Sequence, residues 1–392
     1  MTKGNGFPTP ELVCPACDRE GLVVAQSDWR CPACALEGPA LLGIADLRAF
    51  DDPFLDNRTD SSFAAELARA SQELNSIQLL DYFYNNNPVP VSHSQKIGEL
   101  AHIEAAPLRA RAWLEAIGTI PEQGAILDLG CGPGAFLAAI ANPNHLISDC
   151  DQSQISDRLA LSTRYFWGAD VALRWLVVAR KRLDELALGP EKVRLVCCCA
   201  ERSPFRSKSF ALVVAGDVFE HVADQPATLA ESHRTLVPGG KLFLASPNRY
   251  SLSLEPHVKV WGVGYLPRKL MPLYVRMLKG VDFRAIRTLG IREWKRTLAE
   301  SPFQGGEISA PGPTQGEIAR FRGLKRILAR LYRIALANPL GRALALRIGP
   351  LFHVVCTKAD SSPTIDPEAT RPRSTTIEQP ATPGAFSQRI NQ

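Results

Sequence analysis

Two tetrapeptides of identical sequence, Cys14-Pro15-Ala16-Cys17 and Cys31-Pro32-Ala33-Cys34, stand thirteen residues apart near the N-terminus. Thiolates two residues apart can face one ion from a tight turn, and two such turns supply the tetrahedral four-sulfur shell that Zn²⁺ prefers, at about 2.3 Å per bond. Such a shell has no open position for water, so the expected ion is structural. A second concentration of chemistry lies mid-chain, where Asp128 precedes Gly130-Cys131-Gly132-Pro133-Gly134. Glycines let a backbone turn tightly and approach a ligand, and a helix beginning there would offer amide donors. Asp170, Glu201 and Asp217 each follow an apolar run, and His221 and His257 bring the side chain that titrates near neutrality. Each has a plainer use: Asp170 as a helix cap, Asp217 as a cap or turn residue, the histidines as structural hydrogen-bond partners. Cys197-Cys198-Cys199 lie in an apolar run and read as small buried hydrophobes.

The elements that must position these residues can be traced. Residues 21–25 and 28–30 read as short strands around a turn at 26–28, the layout of a zinc ribbon over 1–45. About forty residues are too few for a self-sufficient apolar core, so the metal would supply folding energy. Residues 46–120 read as a helical linker or cover, with helical spacing over 62–69 and 103–117 and a break at Asn85-Asn86-Asn87-Pro88-Val89-Pro90. The buried-strand run 125–129, the glycine turn and a helical stretch over 135–141 make the first unit of a doubly wound α/β sheet. Gly130, Gly132 and Ala135 also satisfy the dinucleotide pattern G-x-G-x-x-A, so this turn alone leaves the ligand open.

Leu127-Asp128-Leu129-Gly130-Cys131-Gly132-Pro133-Gly134 resembles the first motif of class I S-adenosylmethionine-dependent methyltransferases of the type 11-like kind. Later segments match in order: Gly168-Ala169-Asp170 with the helix after it, Ala200-Glu201, Pro204-Phe205, the strand 209–214, and Asp217-Val218-Phe219-Glu220-His221-Val222. Glu231, Arg234, residues 236–242 and Pro247-Asn248-Arg249 complete the series, so the resemblance covers about residues 121–258 and a last strand near 351–358. It implies a seven-stranded Rossmann-like sheet and S-adenosyl-L-methionine as cofactor. By the same resemblance, Asp128, Gly130, Cys131, Gly132 and Gly134 would hold the methionine part, Asp170 and Val171 the ribose, and Cys199, Ala200 and Glu201 the adenine. Asp217 would lie at the carboxyl end of the fourth core strand, where open α/β sheets bind ligands. Cys199 departs from the family, which often has an acid there. The stretch 142–163 is a second departure, an extra loop whose Asp149, Asp151 and Asp157 read as solvated rather than cation-binding. Methyl transfer needs alignment and exclusion of water more than covalent help, and His221 and His257 are the base candidates if the acceptor is a hydroxyl.

The 392 residues are ordinary in composition, with 45% hydrophobic and 22% charged, which excludes a fibrous or wholly disordered chain. The net charge of +5 is not evenly spread. Lys plus Arg against Asp plus Glu number 24 to 31 over 1–267, 18 to 5 over 268–358, and 3 to 4 over 359–392. The basic excess therefore sits in residues 259–345, read as a helical substrate or lid insertion before the final core strand at 346–358. Within it, 317–345 reads as a basic amphipathic helix, either packed on the domain, the favoured reading, or lying on anionic lipid. Nucleic acid is held behind both, because no RNA-recognition signature accompanies the charge. Residues 359–392, with five prolines and nine Ser or Thr, read as a disordered tail. No start signal or spanning segment is found, so a cytoplasmic enzyme is expected, peripheral to the inner membrane surface at most. The expected function is methyl transfer to a small-molecule, sugar or lipid-linked acceptor, with rRNA or tRNA methylation and a non-catalytic cofactor-binding scaffold as alternatives.

Overall fold

The structure, a computed structural model, describes residues 11–88, 93–142, 161 and 164–360. The loop expected at 142–163, with its three aspartates, lies outside the described residues except for residues 142 and 161, as does the tail beyond residue 360. The strands are β1 (Val23–Val24), β2 (Asp28–Arg30), β3 (Glu37–Leu41), β4 (Ile44–Asp46), β5 (Ala125–Leu129), β6 (Phe166–Asp170), β7 (Val193–Cys197), β8 (Phe210–Gly216), β9 (Leu236–Pro247), β10 (Glu307–Ser309) and β11 (Leu351–Thr357). Seven of them run in the order β7-β6-β5-β8-β9-β11-β10, the expected Rossmann-like sheet. β5 is parallel to β6 and β8, while β11 is antiparallel to both β9 and β10. β10 falls inside the segment read as helical, and three residues are too few to display a strand period in the sequence.

The central strands are apolar throughout because both faces of the sheet are covered. Ile126 packs with Leu137 and Leu176 on one face, while Leu127 and Leu129 join Trp167 and Phe205 on the other. The ribbon is not a separate bead. β4 pairs in parallel with β7, Ala45 opposite Val196 and Asp46 opposite Cys197, so β1 to β4 prolong the core sheet on its β7 side. Trp29 of β2 is buried and donates its Nε1–H to the Asp46 carbonyl at 3.0 Å, locking the ribbon to that junction.

The helices before β5 are α1 (Asn57–Ala70), α2 (Ser76–Asn86), α3 (His93–Glu104) and α4 (Ala106–Ile117), followed by α5 (Ala135–Ala141) and α6 (Leu173–Glu185) within the core. α1 is tied to α6 by Asp60, fully buried, whose Oδ2 accepts the Leu173 amide at 2.8 Å and the Arg48 guanidinium at 3.1 Å. Asp60 thus caps α6 from 113 residues away, the task that Asp170 could have performed.

The remaining helices are α7 (Gln225–Thr235), α8 (Met271–Lys279), α9 (Ile291–Glu300), α10 (Gln315–Arg320), α11 (Gly323–Ala335) and α12 (Pro339–Ile348). α9 buries Trp294 and Leu298 in the core. α11 does the opposite of the favoured reading: none of its residues is buried, and Leu324, Ile327, Leu328, Leu331 and Ile334 are all more than half exposed. An amphipathic pattern specifies an apolar face but not what covers it. Among the described residues no helix is long and apolar enough to cross a membrane.

Candidate functional site

The four N-terminal thiols converge. Sγ of Cys14 and Cys34 are 3.6 Å apart, Sγ of Cys17 and Cys31 are 3.7 Å apart, and all four lie within 4.8 Å of one another. A tetrahedron with bonds of about 2.3 Å has edges of about 3.8 Å. The two turns are built alike: Asp18 N–H donates to the Cys14 carbonyl and Ala35 N–H to that of Cys31, and Asp18 and Ala35 have φ of 56° and 59°. The donor set is compatible with structural zinc. All four thiols are free of disulfides.

The mid-chain residues meet in one cavity of about 700 Å³ at the carboxyl ends of the core strands. Asp128, Gly130, Cys131, Gly132, Asp170, Val171, Cys199, Ala200, Glu201, Asp217, His221 and His257 all line it. Gly134 is the exception. It sits at the start of α5 with φ of +72°, and a Cβ there would come within 3.1 Å of the Ala179 Cβ in α6, so it serves helix packing rather than the wall. Gly130 is fixed by another contact: a Cβ would fall 2.2 Å from the Val218 side chain.

Asp170 organises the turn. Its Oδ2 accepts the Gly132 amide and its Oδ1 the Ala172 amide, each at 2.9 Å. Burial pushes its carboxyl up to about 6, opposed by those two amides. Asp128, at the end of β5, is buried, and its Oδ2 has no hydrogen-bond partner. Desolvation, reinforced by Asp170 and opposed by Arg109, pushes Asp128 up to about 8. An orphaned carboxylate oxygen beside a glycine turn is suited to a cation bearing N–H donors, as the ammonium of a methionine moiety is. A pyrophosphate on the glycine turn would instead meet the Asp128 carboxyl, which argues against the dinucleotide reading of the glycines.

At the end of the cavity formed by Cys198 and Cys199, burial keeps the thiols protonated. The Cys199 thiol is directed at the Phe50 carbonyl, 3.6 Å away, and burial pushes it up to about 11. Glu201 commits Oε1 to the Ala223 and Asp224 amides, at 2.9 and 3.3 Å, so it braces the loop after β8 as well as facing the cavity. Sequence reasoning missed Arg109, His102, Asp52 and Trp175, which also line the cavity. Arg109 and His102 arrive from α4 and α3, whose helical spacing carries no sign of which face meets the cavity.

At the opposite end, His221 and His257 are brought together from 36 residues apart, with Nε2 atoms 3.1 Å from each other. Glu255 Oε1 lies 2.5 Å from His257 Nδ1 and Glu255 Oε2 accepts the His257 amide at 2.8 Å. Burial lowers His257, but its Glu255 hydrogen bond outweighs this and leaves it above its ordinary value. Burial, with His257 adding to it, lowers His221 to about 4. Asp217 begins the loop after β8 with φ of 56°, a strained conformation for a residue with a side chain. Its side chain is exposed on the cavity side, and desolvation by the surrounding protein pushes its carboxyl up against the pull of Arg109 and His257. A larger recess of about 1090 Å³, between the ribbon and the β6–β7 edge, gathers no such cluster.

Residues 149–244 match a family described as a methyltransferase domain. An uncharacterized 37.1 kDa protein in transposon TN4556 of Streptomyces fradiae is 28% identical over 162 residues, 41% of this chain and 40% of that protein. A ubiquinone biosynthesis O-methyltransferase of Methylobacterium sp. (strain 4-46) is 28% identical over 184 residues, 46% of this chain and 65% of that enzyme. The chain thus spans less than two thirds of the length of both relatives. A solved Haemonchus contortus phosphoethanolamine N-methyltransferase 2, bound to phosphomonomethylethanolamine and S-adenosylhomocysteine, superposes with a TM-score of 0.41 at 17% identity, covering 64% of this chain and 52% of that one. Over residues 149–244 the chain is thus similar to a methyltransferase-domain family, and the described residues of that stretch lie within the α/β core.

Proposed function

We propose that the protein transfers a methyl group from S-adenosylmethionine to an amphiphilic, anionic acceptor presented at a lipid surface. The observation that carries the cofactor assignment is the unpartnered Oδ2 of buried Asp128 beside the glycine turn. Asp128 would take the cofactor's ammonium, Asp170, which also holds the Gly132 amide, the ribose hydroxyls, and the wall formed by Cys199, Ala200 and Glu201 the adenine. The bound cofactor supplies an electrophilic methyl on a sulfonium. This chain's contribution is alignment and desolvation within the cavity, with the His221 and His257 end receiving the acceptor.

The acceptor class rests on the surface of the basic segment. Residues 321–350 contain seven Lys or Arg and no Asp or Glu, and α11 combines that charge with its uncovered leucines and isoleucines. Trp261, Leu273 and Met277, in and before α8, are also more than half exposed. Such a surface gains both from apolar insertion and from attraction to anionic headgroups. Relatives named for ubiquinone biosynthesis are in keeping with an apolar acceptor. The test is incubation of the full chain with methyl-labelled cofactor and a cell extract, followed by separation of lipid, RNA and aqueous small-molecule fractions. Label in the lipid fraction supports the proposal, label in RNA favours the RNA alternative, and absence of label from every fraction favours the scaffold reading.

A further inference from the structure

We propose that Glu220, His221 and His257 together hold a divalent transition-metal ion in the wall of the cavity, with one coordination position left open towards it. The ion site rests on the methyl-transfer reading only for what that open position would face, an oxygen of the acceptor. In this arrangement the two histidines are ligands rather than free bases.

Three lone-pair atoms converge there. His257 Nε2 lies 3.1 Å from His221 Nε2 and 3.9 Å from Glu220 Oε1, and all three atoms are within 4.8 Å of one another. A tetrahedral ion with N and O bonds of about 2.0–2.1 Å separates its ligand atoms by about 3.4 Å, so small side-chain adjustments complete the shell. Supporting contacts orient two of the three groups. Glu255, 2.5 Å from His257 Nδ1, takes the proton on that nitrogen and leaves the lone pair of Nε2 directed at the cluster, the carboxylate–histidine–metal pattern of many metal sites. Ser246 Oγ donates to Glu220 Oε2 at 2.9 Å and so orients the carboxylate, while Oε1 has no hydrogen-bond partner although the residue is fully buried. An unpaired buried carboxylate oxygen is costly, and a cation beside it would remove that cost. A proton shared between the imidazoles would satisfy the nitrogens but not this oxygen. Two histidines and one carboxylate form a donor set that binds first-row divalent ions and keeps a position open. His221 is exposed to the cavity, which places that position on the cavity side.

The test is titration of the full-length protein with Mn²⁺, read by electron paramagnetic resonance as loss of the free-ion signal. Mn²⁺ favours oxygen and nitrogen donors over thiolate, so the four-cysteine cluster contributes little. Wild type is expected to bind one Mn²⁺ per chain, with affinity at least tenfold weaker in Glu220→Gln and in His257→Ala while both variants retain cooperative thermal unfolding. No Mn²⁺ bound by wild type, or binding unchanged in both variants, overturns the site. The wild-type titration decides even if a variant fails to fold. S-adenosylhomocysteine binding without Mn²⁺ binding defeats the metal site alone, and Mn²⁺ binding without S-adenosylhomocysteine binding defeats the methyl-transfer reading alone.

Discussion

Asp170, the last residue of β6, holds the amide of Gly132 in the turn after β5 at 2.9 Å. One carboxylate therefore shapes the loop that would hold the methionine part and stands where the ribose hydroxyls would lie. Asp170→Ala removes both supports. S-adenosylhomocysteine affinity should fall by at least tenfold, about 1.4 kcal/mol, with zinc content unchanged. Calorimetry with metal analysis on the same preparation checks this, and an unaltered affinity would show that the loop is held by other contacts.

Asp128 predicts a pH signature. The unfolded chain ionises this carboxyl near its ordinary 3.8 and the folded chain near 8, because burial disfavours the charge. Folding takes up a proton between those values, so the group's stabilising share, complete below the lower one, is lost as pH rises through the upper one. Asp128→Asn escapes that loss. Its melting temperature relative to wild type should climb from pH 4 to pH 8 and level off above, while cofactor affinity falls. A difference independent of pH would contradict the assigned burial of an unpaired carboxylate.

The zinc shell and the cofactor cavity should separate experimentally. Cys14→Ser removes one of the four thiols and should lower zinc content and melting temperature, because a bound ion would join the two Cys-Pro-Ala-Cys turns of a segment that buries few large side chains besides Trp29, Ile44 and Leu47. The cavity draws no wall from the ribbon strands, so S-adenosylhomocysteine affinity should stay within about threefold, well under the tenfold step of 1.4 kcal/mol. Loss of zinc and of cofactor binding together would mean that β4 props the cavity through β7.

The α11 surface makes a prediction that structure alone distinguishes from packing. Leu328 and Leu331 are each 56% exposed, so replacing both with Glu should change folding stability by no more than about 0.5 kcal/mol per site. Retention on vesicles containing anionic phospholipid should fall sharply, and added salt should weaken the wild type in the same direction. A large loss of stability would show that these leucines are covered within the fold.

Much of the architecture was legible because its signals are local. The doubled Cys-Pro-Ala-Cys, the strand–glycine–helix unit at 125–141 and the apolar runs of β6 to β9 each declare themselves within a dozen residues. What escaped depends on distant pairing. Nothing near Asp60 indicates that it caps α6, and nothing in Ile44-Ala45-Asp46 distinguishes a ribbon strand from one that continues the core sheet. Gly134 matched a motif position, yet its contact with Ala179 belongs to packing that only the folded chain exposes. The approach of His257 to His221 and Glu220 likewise required the loop after β9 to fold back over the loop after β8. For α11 the periodicity was correct, and the error lay in assigning the apolar face to the protein's own core.

The measurement closest to the central claim is isothermal calorimetry of S-adenosylhomocysteine with the full chain, wild type beside Asp128→Asn. One site per chain is predicted for wild type, with binding at least tenfold weaker in the variant. No binding by a folded wild-type protein, or equal binding by the two, would contradict the assignment of the cavity to this cofactor.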